Sequence, residues 1–110
     1  MAGRRDRTKL IERLPEFETR AKATLSALYA VVEDDEWLKV SGQVQPMSGD
    51  ELEHDVVVNI EAFDRLGRIT DKQQEFFYRQ GFWKFGTFHT LMRAPGRSLK
   101  TVRVYPNIYE

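Results

Sequence analysis

From Trp37 to the end of the chain, apolar residues recur at every second position in short runs separated by turn-forming residues. Side chains alternate between the two faces of a strand, so each such run is a strand with one buried and one wet side. In WLKVSGQVQ, Leu38, Val40, Gly42 and Val44 share one side, opposite Lys39, Ser41, Gln43 and Gln45. DVVVNIEAF sets Val56, Val58, Ile60 and Ala62 against Val57, Asn59, Glu61 and Phe63. Asp64 and Gly67 supply turn chemistry before a third strand over 68–78. A fourth strand, 87–93, alternates Phe88, Thr90 and Met92 with His89, Leu91 and Arg93, and APGRS is the next turn. LKTVRVYP closes the series with Val102 and Val104 inward, Thr101, Arg103 and Tyr105 outward, and Pro106 as its end. Parallel neighbours need crossovers of a dozen or more residues, and these loops are too short. The reading is mainly β: a small antiparallel sandwich or open barrel of about five strands over 37–106. Its expected core is Leu38, Val40, Val56, Val58, Ile60, Phe88, Met92, Val102 and Val104.

The N-terminal third reads differently. Leu10, Leu14, Phe17, Ala21, Leu25, Leu28 and Val32 recur at steps of three and four, the spacing of one helix face. Proline suits the first helical position, and Glu16 and Glu18 would then lie at the positive end of the helix dipole. The expectation is an amphipathic helix over 15–32, preceded by a basic flexible N-terminus, 1–14, in which residues 8–13 form a helical turn or frayed lead-in. The helix docks on the sheet of its own chain, or pairs with a second copy, so the protein is a monomer or a homodimer. Glu33-Asp34-Asp35-Glu36 would place negative charge at the negative end of that helix, so it is read as a solvated connector.

VVVNIEAFDRLGRI resembles the central signature of FxLYD-type domains, in which an alternating strand ends in an aromatic-Asp-x-x-Gly turn and the chain returns in a second strand. LKVSGQV is similar to the opening strand of such domains, and KTVRVYP to a closing strand, so the resemblance covers about residues 37–106. It implies an immunoglobulin-like β-sandwich of a bacterial protein and carries no catalytic residues. The helix over 15–32 is no part of that pattern.

The absence of cysteine removes disulfides, thiol nucleophiles and thiolate metal sites. MAGRRDRTKLIERLPEFETR never reaches an apolar run, so no signal peptide is expected. No stretch approaches the ~20 apolar residues of a membrane helix. The chain is therefore expected to be cytoplasmic, or a domain excised from an exported protein, and not to engage a membrane. Its formal net charge of zero argues against general nucleic-acid affinity, which depends on neutralising phosphates. The charge is unevenly laid out: 31–75 holds twelve acidic and four basic residues, 76–110 one acidic and six basic. Acidic and basic strands could pair within the fold, or the surface could be bipolar and steer a charged partner.

No catalytic or metal-binding constellation is evident. His54 and His89 stand beside no serine in a glycine elbow, and GxSxG, GxGxxG, Walker and HExxH patterns are absent. SGDELEHD gathers Asp50, Glu51, Glu53, His54 and Asp55, but without the spacing of a calcium loop. No enzyme activity, metal or cofactor is expected. The informative segment is QEFFYRQGFWKFGTF, where seven of the thirteen aromatic residues fall between Phe76 and Phe88. Either these rings fill the interior and receive the helix, or some form a surface. In the second case Phe77, Tyr78, Arg79, Phe82, Trp83 and Lys84 are the candidate contacts, with Trp83 outward and Phe85 or Phe88 buried. Such a surface suits a non-catalytic module that binds a protein partner through aromatic hot spots or a sheet edge. The alternative is a carbohydrate-binding module that stacks a sugar on Trp83.

Overall fold

The computed structural model describes residues 3–94 and 98–110. Its elements are β1 (Arg4–Asp6), a 3₁₀ turn (Thr8–Leu10), β2 (Ile11–Arg13), α1 (Pro15–Ala21), β3 (Ala23–Glu33), β4 (Trp37–Pro46), β5 (Val56–Asp64), β6 (Ile69–Phe77), β7 (Gly86–Arg93) and β8 (Leu99–Ile108). They form two four-stranded sheets, ordered β1-β3-β4-β7 and β2-β8-β5-β6. Neighbours are antiparallel except β2 and β8, which run parallel. The chain is thus mainly β, with eight strands among the described residues instead of five.

Alternation identified the core correctly. All nine residues expected inside are buried, and they join Leu25, Ala30 and Val32 of β3 in one cluster between the sheets. Each fully buried aliphatic side chain there contributes roughly 1.5–3 kcal/mol of transfer free energy. The turn after β5 also follows its sequence. Asp64 Oδ1 accepts from the N–H groups of Leu66 (2.9 Å) and Arg68 (3.0 Å), and Gly67 has φ +80°. That three-residue loop, closed by a left-handed glycine, is a common hairpin connection. The APGRS turn falls largely on Pro95–Arg97, outside the described residues.

The helix is shorter than its spacing implied. Pro15 does start it, but it ends at Ala21, with Lys22 left-handed (φ 56°) and its N–H bonded to the carbonyls of Glu18 and Thr19. Residues 23–33 are a strand, paired with β4. A bulge between Ser26 and Tyr29, with Ala27 at φ 51°, shifts its phase by one residue. Buried positions therefore run Ala23, Leu25, then Ala30, Val32, with Leu28 packed against the core between them. The step from Leu25 to Leu28 and on to Val32 reproduces three-then-four helical spacing within an extended chain. Leu28 fits because Gly42 lies opposite: a Cβ there would meet Leu28 Cδ2 at 2.5 Å and the Phe88 ring at 2.8 Å.

The acidic stretch is a hairpin turn. Asp34 and Asp35 are both left-handed (φ 55° and 51°), a conformation Asp tolerates better than most residues and one suited to β-hairpins. Its carboxylates take bases from elsewhere in the chain: Arg5 lies 3.4 Å from Asp35 and Arg93 2.7 Å from Glu36.

Residues 3–14, read as a flexible lead-in, carry two paired strands joined by the 3₁₀ turn. β1 pairs with β3 in one sheet, and β2 with β8 in the other. β8 continues through Pro106 to Ile108, because Pro106 lies beyond the three residues that pair with β2, where that side of the strand has no ladder partner and a missing N–H is tolerated. Opposite the N-terminal segment, edge strands β6 and β7 are tied by side chains. Thr90 Oγ1 donates to Glu75 Oε1 (2.7 Å), and the Arg93 N–H to Asp71 Oδ2 (2.9 Å).

Candidate functional site

The aromatic segment spans the end of β6, the connection Tyr78–Phe85 and the start of β7. Phe77, Phe82 and Phe88 form an edge-to-face trio, with centroids 6.3 Å apart for Phe77–Phe82 and 6.4 Å for Phe77–Phe88. Phe88 is 3% exposed, and Phe77 and Phe82 pack against the core. Gly86 makes room for the trio, since a Cβ there would come within 2.7 Å of the Phe77 ring. Two of the six candidate contact residues, Phe77 and Phe82, are thus largely engaged in packing.

With Phe82 drawn inward, its neighbour Trp83 is turned out and is 59% exposed. Phe85, the other ring expected to compete for the interior, also faces solvent, so burial falls to Phe88. The backbone at Trp83 is tightly folded. The Phe85 N–H bonds to the Trp83 carbonyl at 2.8 Å across Lys84, which has φ 67°. This is a γ-turn around a left-handed non-glycine residue, a conformation held only where the surroundings enforce it.

The enforcing element is the acidic loop. The Lys84 N–H donates to the Asp50 carbonyl (2.8 Å), and the Arg79 N–H to Asp55 Oδ1 (2.7 Å). The Asp55 carbonyl accepts from the Tyr109 N–H at 2.8 Å, and Leu52 is buried as the loop's anchor. The two segments that stand out in the sequence therefore meet at one end of the molecule. Two open depressions lie where they meet, of about 740 Å³ beside His54, Arg79 and Tyr109 and about 660 Å³ between Asp50, Glu53, Arg79 and Trp83.

Beside this end a second group of rings is exposed. Phe76 and Tyr78 stand against Tyr109, with centroids 5.0 and 6.4 Å away and planes at 70° and 74°. Of the candidate contacts, Tyr78, Arg79, Trp83 and Lys84 are exposed at this end, and the structure adds Phe76, Phe85 and Tyr109. Tyr109 was findable by carrying the alternation of Tyr105 and Asn107 two residues further. The adjacency of the acidic loop had no sequence signal, because it depends on how two loops, each crossing from one sheet to the other, converge.

His54 borders the larger depression with Glu51, Glu53 and Asp55, but among the described residues no hydrogen bond joins it to a carboxylate, and Asp55 is committed to the Arg79 backbone. Among the described residues no three His, Asp or Glu side chains converge in a metal-binding group, and no helix is long and apolar enough to cross a membrane. His89 lies on the outer face of β7, away from this end. No protein-family profile, curated protein or solved structure matches the chain.

Proposed function

We propose that this chain is a non-catalytic interaction module that binds a protein partner at the end formed by the aromatic connection and the acidic loop. The observation that carries the reading is Trp83: a large ring, 59% exposed, on a backbone that hydrogen bonds hold in a strained turn. Tryptophan displayed on a preordered backbone loses little entropy on binding and is the residue most enriched at interface hot spots. The carboxylates of Asp50, Glu51 and Glu53 beside it favour a basic contacting segment. Phe76, Tyr78 and Tyr109 meet edge to face, so they offer no flat platform for a sugar ring, which favours protein over carbohydrate.

The scaffold we propose is a sandwich of the FxLYD kind, immunoglobulin-like in architecture. Its connections differ from the immunoglobulin order, in which one sheet reads A-B-E-D and the other C-F-G. Lettered from β3 as B, the sheets here read B-C-F and G-D-E.

Trp83→Ala should leave the melting temperature nearly unchanged, whereas Phe88→Ala should cost about 3–5 kcal/mol. On arrays of basic peptides, acidic peptides and glycans, the wild-type protein should bind basic peptides, and Trp83→Ala should lose at least about 2 kcal/mol of that affinity. Binding to glycans alone would replace the protein reading with the carbohydrate one. Unfolding of Trp83→Ala would assign the ring to packing.

A further inference from the structure

At two points of this chain an arginine lies over an aromatic ring and against a carboxylate. Arg93 is 4.5 Å from the Trp37 ring centroid, and its Nη1 donates to Glu36 Oε1 at 2.7 Å. Arg103 is 4.8 Å from the Phe63 centroid, and its Nε donates to Glu12 Oε1 at 2.7 Å. The guanidinium itself explains the pattern: its flat face stacks on a ring while the N–H groups on its edge reach an acid.

Trp83 and the acidic loop set out the same two partners without the guanidinium. Both border the depression of about 660 Å³, whose lining holds the carboxylates of Asp50, Glu51 and Glu53 and one base, Arg79. All three acids are exposed, and none makes an ion pair among the described residues. Trp83 is 59% exposed, and among the described residues no ring or cation stacks on it. Arg79 therefore offsets one charge of the three and leaves the indole face open. Lys84, the next base along the chain, lies outside the lining. Its N–H bonds to the Asp50 carbonyl at 2.8 Å, so loop and tryptophan are tied together before anything binds.

We propose that the protein partner presents an arginine here, its guanidinium stacked on the Trp83 indole and its N–H groups donated to the acidic loop. This rests on the binding end described above and narrows its basic partner to one kind of side chain. A lysine ammonium is a compact charge with no flat face to stack. A quaternary ammonium has no N–H to donate, and a single ring gives it no cage.

Three acetylated, amidated octapeptides test this, with glycine alternating with arginine, lysine or citrulline. Amide and indole shifts of the isotope-labelled protein report where and how tightly each binds. The arginine peptide should give saturable shifts at the Trp83 indole and over residues 49–53 and 79–85. Lysine should bind about fivefold more weakly, and citrulline at least about tenfold. Trp83→Leu, with its spectrum unchanged away from this end, should bring the arginine and lysine peptides within about twofold of each other. Glu51→Gln with Glu53→Gln should weaken both peptides. Equal binding of the arginine and lysine peptides to the wild type would overturn the inference and leave the basic-segment reading standing. An arginine preference that survives in Trp83→Leu would overturn it as well. No saturable shift at this end by roughly 10 mM of any peptide, well past millimolar affinity, would remove both the inference and the reading beneath it.

Discussion

Two carboxylates show how single residues hold this fold. Glu18 is buried on the short α1. Its Oε1 accepts from the Leu25 N–H (3.0 Å) and from Arg13 Nη2 (2.7 Å), and Oε2 accepts from Arg13 Nε (3.2 Å). Arg13 Nη2 also donates to the Leu25 carbonyl at 2.7 Å, so β2, α1 and β3 are joined through one carboxylate. Glu18→Ala leaves the Leu25 N–H without an acceptor and should cost about 2–3 kcal/mol in urea denaturation at neutral pH. Glu18→Gln keeps an acceptor and should cost less; an alanine variant as stable as the wild type would refute the role. Asp64 acts differently. The N–H of Arg68 first, then the Arg68 side chain and the N–H of Leu66, hold its carboxyl below the ordinary value of 3.8. A group lowered on folding stabilises above its unfolded pKa and loses that contribution as pH falls through the folded value. Asp64→Asn should therefore lower the melting temperature at pH 7, and the gap should close as pH falls below about 4. A gap that is constant with pH would show that geometry rather than charge matters there.

At the scale of elements, β3 shows why some of the structure was legible and some was not. Strict alternation in β4, β5, β7 and β8 identified these strands and their buried sides, because each keeps one phase across the inward positions that decide the core. β3 changes phase at Ala27, and no residue there announces it: alanine is a poor marker for a left-handed position. The composition of TLSALYAVV did favour a strand, through its threonine, tyrosine and valines. The four acids at the negative end of the supposed helix were a second warning, since they contradict the dipole but suit a hairpin turn. Left-handed backbone costs an ordinary L-residue roughly 1–2 kcal/mol, and glycine in a strand about 0.5–1 kcal/mol. Ala27→Gly should therefore raise stability by about 0.5–1 kcal/mol, and Ala27→Val should lower it. Thermal melting of the pair checks this, and destabilisation by glycine would mean that the bulge is not strained.

Across the whole molecule, the two sheets are coupled by different means on their two sides. On one side, side chains of β6 meet β7, and the inward Asp71 and Glu75 also make β6 a poor template for a further strand. On the other, residues 4–13 cross from one sheet to the other. The same convergence at molecular scale made the candidate binding end only half legible: crowding of rings between Phe76 and Phe88 is a sequence property, whereas the choice of Phe82 inward and Trp83 outward depends on Gly86 and the acidic loop. The N-terminal crossing is the part with the largest untested load. The Arg7 N–H donates to the Ala30 carbonyl at 2.7 Å, Thr8 Oγ1 accepts from the Ala30 N–H at 3.2 Å, and Leu10 and Ile11 pack against the core. A variant lacking residues 1–13 would uncover the free edges of β3 and β8 together with this apolar surface. It should lose at least about 3–5 kcal/mol of stability, judged from two partly buried aliphatic side chains, the hydrogen bonds removed and the buried Glu18 carboxylate left without Arg13. The exposed edges should also make it self-associate. Denaturant titration and sedimentation velocity read the two effects separately. A truncated protein that keeps the stability of the full chain and sediments as the same species would show that the crossing segment merely covers a body that is complete without it.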